Sequence, residues 1–143
     1  MVGLSQTELQ PRVIQARRGY VWLAWLFAAC VVVQVFLLGL EVFEAGADPT
    51  LHRDFAYIYG WLLPGMLLLG RVGRLTVGML ALTVFLLVLY AVQTIMPAFA
   101  EGIPLLGPLH AVNAVVLFGV GVLLARRAGA LLGSGDGARG AGA

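Results

Sequence analysis

Four stretches of this chain, at 20–42, 54–70, 75–97 and 105–125, are apolar almost without interruption. Each is near the ~20 residues that ~30 Å of hydrocarbon demands of a membrane-spanning helix. A transmembrane barrel would instead show repeated segments of alternating polarity, and runs such as Leu82 to Leu89 do not alternate. With 61% apolar and 11% charged residues, the composition lies outside that of soluble domains. A length of 143 residues leaves room for one bundle and no separate catalytic domain. The expected fold is therefore all-α: an integral membrane antiparallel four-helix bundle over 20–127, with spans at about 20–43, 51–70, 75–97 and 105–127. Residues 1–19 are expected as an N-terminal segment with a short interfacial helix, and residues 128–143 as a flexible Gly-rich tail.

Arg17-Arg18, an apolar run and Ala28-Ala29-Cys30 imitate a signal sequence with a lipoprotein cleavage site. Phe27 replaces the usual aliphatic residue of such a site, and Val31-Val32-Val33 carry the apolar run straight through it, so the first span is expected to be retained. Cys30 is the single cysteine, which excludes a disulfide within the chain.

Charge gives the orientation. All nine basic residues are arginine, and Arg12, Arg17, Arg18, Arg71, Arg74, Arg126, Arg127 and Arg139 fall on one side of a four-span arrangement, leaving Arg53 on the other. The positive-inside rule then puts both termini in the cytoplasm. The net charge of +2 is thus a topology signal and points to no nucleic-acid partner. Asp48-Pro49, after Gly46, reads as cap and first position of the second span, and Pro64 between Gly60 and Gly65 predicts a kink within it. Arg71-Val72-Gly73-Arg74 is short enough to make spans two and three antiparallel neighbours, and the Gly- and Pro-rich stretch from Pro97 to Pro108 is expected to lie along the outer surface.

One phrase occurs twice. Val33-Gln34 precedes Leu51-His52, and Val92-Gln93 precedes Leu109-His110; in each case an alanine, Ala56 or Ala114, follows the histidine by one helical turn. The pattern reads as two helix-pair repeats. His52 and His110 are the only histidines, both at the outer ends of even-numbered spans. Those spans are diagonal in a four-helix ring, so the two imidazoles can face each other across its axis. Such a pair suits a planar cofactor with two axial ligands, and haem b needs only axial ligation and burial. Covalent attachment is excluded because no Cys-x-x-Cys-His occurs.

Around His52 and His110, Ala56, Tyr59 and Gly60 on the second span and Asn113, Ala114 and Phe118 on the fourth form the expected cofactor slot. Gln34 and Gln93 must point inward to find partners, as hydrogen-bonding residues of the site or as interhelical ties. Counted inward from Glu41, Gln34 lies roughly 10 Å deep, which predicts no direct contact with His52. Arg53 is expected either to hold a haem propionate or to pair with Asp54 or Glu41. A zinc or copper site would need Asp48, Asp54 or Glu101 to complete its ligands.

Leu51-His52-Arg53 and Leu109-His110 resemble one four-helix half of haem A synthase, a family that joins two such halves and presents histidines for haem at the outer ends of the second and fourth helices of each. Its oxidising half carries a glutamate three residues before the His-Arg pair, where this chain has Pro49, so the resemblance implies the cofactor-holding half. As a whole the chain resembles an uncharacterised bacterial family of four-helix membrane proteins, which implies a multi-pass protein of the bacterial inner membrane. The expected function is a b-type haem protein in local electron transfer or haem handling. Its expected partners are the lipid bilayer and a quinol, a periplasmic electron carrier or another membrane subunit. A cofactor-free accessory or assembly subunit is the alternative, and solute transport is disfavoured because no span carries an ionisable pair at mid-depth.

Overall fold

The computed structural model describes residues 11–44, 48 and 50–140, with side chains as far as residue 133. It is helical, and no strand occurs among the described residues. The helices are α1 (Pro11–Phe43), α2 (Thr50–Tyr59), α3 (Leu62–Val72), α4 (Val77–Phe99) and α5 (Leu106–Gly140). They supply four segments long and apolar enough to cross a membrane, because α2 and α3 together make the second, Thr50–Val72.

The division of that span follows from Pro64, which has no N–H to give the carbonyl of Gly60. Leu63 N–H takes that carbonyl instead at 3.2 Å, and the helix tightens into a turn at Gly60 and Trp61 before resuming. Pro97 stands within the last turn of α4, so the outer stretch expected from Pro97 to Pro108 shrinks to the few residues between Phe99 and Leu106.

Two expected boundaries move. Residues 11–19 belong to α1 rather than to a separate segment, because Val13, Ala16 and Tyr20 continue the buried stripe of the span at helical spacing. Likewise α5 runs through the expected tail as far as Gly140; Ala128 is fully buried and Leu131 packs on the core, so the stripe does not end at Arg127. Residues 1–10 and 141–143 lie outside the described residues, as do Gly46 and Pro49.

α1 packs most extensively on α5 and then on α3, α4 packs on α5, and α3 on α4 closes the ring. The second and fourth spans are therefore diagonal. Core positions recur every seven residues along all four. Gln34, Phe27, Tyr20 and Val13 descend α1; His52, Tyr59 and Met66 descend the second span; Gln93, Leu86 and Met79 descend α4; His110, Leu117 and Leu124 descend α5. Every residue of the lower layers is buried. The outermost layer alone is polar, made of two glutamines and two histidines. Outside the core, Trp22, Phe43, Trp61 and Val77 are more than three-quarters exposed, an apolar surface suited to contact with lipid.

The end of the bundle opposite the glutamine–histidine layer is tied by polar contacts. Thr83 Oγ1 donates to Met79 O at 2.9 Å and accepts the Tyr20 hydroxyl at 2.6 Å. Arg17 Nε donates to Gly73 O at 2.8 Å, a cation satisfying the last carbonyls of α3. Leu75 N–H reaches back to Gly70 O and Arg74 N–H to Arg71 O, which puts Arg74 in the left-handed region at φ 51°. Glycine avoids the Cβ penalty there. Arg74→Gly is expected to stabilise the bundle by about 1 kcal/mol, read as a higher unfolding midpoint in detergent.

Candidate functional site

Asp48 begins the local structure of the site. Its Oδ1 accepts from Thr50 N at 2.9 Å and from Thr50 Oγ1 at 2.8 Å, capping α2. The backbone hydrogen bond from Thr50, then the one from its side chain, hold the Asp48 carboxyl below the usual carboxylate range. α2 thus starts at Thr50, two residues before His52.

His52 and Gln34 hold each other. Gln34 Nε2 donates to His52 O at 2.6 Å, and His52 Nδ1 donates to Gln34 O at 3.1 Å. This corrects the expected lack of contact. Helix carbonyls point toward the C-terminus, so in antiparallel α1 and α2 the Gln34 carbonyl aims outward at the imidazole while the His52 carbonyl aims inward at the amide. Depth counted along one helix misses that convergence.

Gln93 meets His110 differently, through the ring. Gln93 Nε2 lies 3.1 Å from His110 Nε2. Asn113 Nδ2 donates to Gln93 Oε1 at 2.7 Å and to Leu89 O at 3.0 Å. Gln34, Gln93 and Asn113 are all at least nine-tenths buried. Two buried atoms of this layer have no protein partner, Gln34 Oε1 and His110 Nδ1.

The imidazole rings of His52 and His110 face each other with centroids 6.2 Å apart and planes inclined by 55°. Two metal–imidazole bonds of about 2.0 Å, with about 1.1 Å from each nitrogen to its ring centre, would separate two rings by about 6 Å. The centroid separation matches that length, while His110 Nε2 is engaged by Gln93 and His52 Nδ1 by Gln34 O. Two clefts, of about 430 Å³ and 360 Å³, meet at Gln34, His52, Gln93 and His110. Ala56, Tyr57 and Tyr90 line the first, and Ala114, Val115 and Phe118 the second. An alanine one turn below each histidine therefore opens a cleft on either flank of the imidazole pair.

Aromatic rings form the floor. Tyr59 lies 5.6 Å from Phe27, 5.4 Å from Phe55 and 5.4 Å from Tyr90, centroid to centroid. The Tyr90 hydroxyl donates to Ala56 O. Gly60 lines neither cleft; it gives Tyr90 room, since a Cβ there would meet the ring and hydroxyl at 2.8 Å. Arg53 borders the first cleft and pairs with Asp54 at 3.0 Å, both well exposed. That surface pair contributes little to stability. Tyr90, like Tyr57 and Phe27, is a site residue that the sequence pattern did not single out. Its signal was present, three residues before Gln93 and so on the same helical face.

Among the described residues, no three His, Cys, Asp or Glu side chains gather closely enough to hold a metal ion. A zinc or copper site completed by Asp48, Asp54 or Glu101 is therefore not assembled. A haem, whose porphyrin supplies the other ligands, needs only the two imidazoles.

Residues 34–100 match a family described as a family of unknown function, DUF6220. The matched stretch begins at Gln34, includes His52 and Gln93, and stops short of His110. This is consistent with the resemblance to an uncharacterised family, and nothing found links the chain to haem A synthase. No curated protein and no solved structure matches the chain.

Proposed function

We propose that this protein is a membrane b-type haem protein, with His52 and His110 as axial ligands at the outer end of the bundle. The observation that carries the reading is the opposed imidazole pair at 6.2 Å, flanked on both sides by mainly apolar clefts. Haem bound there would supply one-electron chemistry, and with both His52 and His110 holding it that chemistry would favour electron transfer over oxygen activation.

The chain's own residues have separable tasks. Gln34 O orients His52 through Nδ1–H, the outer contact that raises the basicity of a ligating imidazole. Phe27, Tyr59, Phe55 and Tyr90 close the floor against the bundle interior and keep it dry. Arg53, beside the first cleft, is the cation available to a haem carboxylate at the surface once it exchanges its exposed partner Asp54. The arginine distribution supports cytoplasmic termini in a bacterial inner membrane, and with them a haem site at the opposite face. Held by His52 and His110 at one face, a haem would serve local electron exchange with a quinol, a periplasmic carrier or another membrane subunit, or onward delivery. The twice-used Gln-His phrase supports an origin in two helix-pair repeats.

A second reading has its own support. Both histidines already bond to glutamines across helices, as ties in a cofactor-free accessory or assembly subunit would. A reduced-minus-oxidised spectrum of detergent-purified protein, as isolated and after haem supplementation, separates the two. Soret and alpha bands are expected. Their absence from both preparations overturns the haem reading in favour of the accessory one.

A further inference from the structure

The polar layer treats its two histidines unequally. Asn113 donates through Nδ2 to Leu89 O, a main-chain carbonyl that can only accept, so its amide has one orientation. The same Nδ2 donates to Gln93 Oε1, which orients Gln93 in turn. Gln93 then presents Nε2, a donor only, to His110 Nε2, so that ring nitrogen accepts and the His110 proton is assigned to Nδ1. At His52 the main-chain acceptor Gln34 O likewise assigns the proton to Nδ1, and among the described residues no hydrogen-bond partner meets its Nε2. His52 therefore offers a free nitrogen, while the corresponding nitrogen of His110 is engaged. Nδ1 of His110 is buried and has no partner among the described residues, so the Gln93 contact is the hydrogen bond that this ring makes there.

Resting on the haem reading above, we infer that Asn113 and Gln93 form a latch on His110, so that His52 is the anchoring haem ligand and His110 the exchangeable one. To ligate, His110 must give up the Gln93 hydrogen bond; His52 gives up nothing. The exchangeable side is then open to a small neutral ligand of ferrous haem. Asn113 is a positioning residue, acting on His110 through Gln93.

Two measurements test this. In haem-free protein with isotope-labelled histidine, imidazole nitrogen chemical shifts report the tautomers. Both rings are expected as Nδ1–H, and Asn113→Ala is expected to mix the tautomers of His110 while leaving His52 unchanged. In haem-loaded protein, Gln93→Leu removes the competing donor, so carbon monoxide binding to the ferrous form is expected to weaken by about threefold to tenfold, the range of one net hydrogen bond. Gln93→Met gives the same comparison with a more adaptable side chain. An Nε2–H tautomer at His110, or carbon monoxide affinity unchanged in both Gln93 variants with haem bound, overturns the latch. A wild type with no Soret band overturns the haem reading and the ligand assignment with it, and the tautomer experiment, which needs no haem, distinguishes that failure from failure of the relay.

Discussion

His52→Ala is expected to strip haem from the purified protein, whereas His110→Ala is expected to leave a haem-containing protein with an altered spectrum. Each change removes one imidazole from a pair that looks equivalent in the sequence, so unequal outcomes test the asymmetry of their surroundings. His52 is oriented by the Gln34 main-chain carbonyl, which no side-chain substitution removes. Loss of an outer hydrogen-bonding partner alone typically weakens a metal site about tenfold to a hundredfold, so loss of the anchoring ligand should exceed about a hundredfold. His110→Ala leaves His52 intact and costs only the exchangeable ligand. Gln34→Leu is the control: it deletes the amide contact to His52 O but keeps the carbonyl that orients the ring, and its expected effect on haem retention is far smaller. Haem content per polypeptide from the Soret band, with helicity from circular dichroism, reads all three. Full haem retention by His52→Ala would remove His52 as the anchor.

Much of this architecture was written in hydropathy. Four runs of the right length gave four spans, and the short Arg71 to Arg74 connection gave the antiparallel neighbours that make the second and fourth spans diagonal. The Gln-His phrase also marked residues that meet in one layer, because a polar side chain inside a bundle must find a partner and few were present. What remained hidden was which atoms meet. A spacing counted through a connection carries no rotation, so eighteen residues between Gln34 and His52 and seventeen between Gln93 and His110 could not reveal that the first glutamine binds main chain and the second binds a ring. The helix ends were obscured for another reason. Arg12, Arg17 and Arg18 made residues 11–19 look like a polar segment before the span, although Val13, Ala16 and Tyr20 continue the buried stripe.

Gly60→Ala is expected to destabilise the protein by about 1–3 kcal/mol, the usual effect of adding a methyl group where there is no space. The added carbon would lie 2.8 Å from Tyr90 Cε1 and from its hydroxyl oxygen. A surface side chain would swing aside, but Tyr90 is nearly buried, packs 5.4 Å from Tyr59 and 6.2 Å from Phe27, and donates its hydroxyl to Ala56 O. The strain therefore falls on the turn between α2 and α3, where Pro64 has already removed one helical hydrogen bond. It also reaches the site, because Ala56 lies one turn below His52 and borders the first cleft. Tyr90→Phe alone should cost about 0.5–1.5 kcal/mol for the lost hydrogen bond. In the double variant the clash with the hydroxyl is gone and the one with the ring carbon remains, so the combined loss should fall short of the sum of the two single changes. Thermal unfolding of the four proteins in one detergent measures that coupling. Strict additivity would mean that Gly60 and Tyr90 do not meet as described, and that the floor of the site is not held by the kink in the second span.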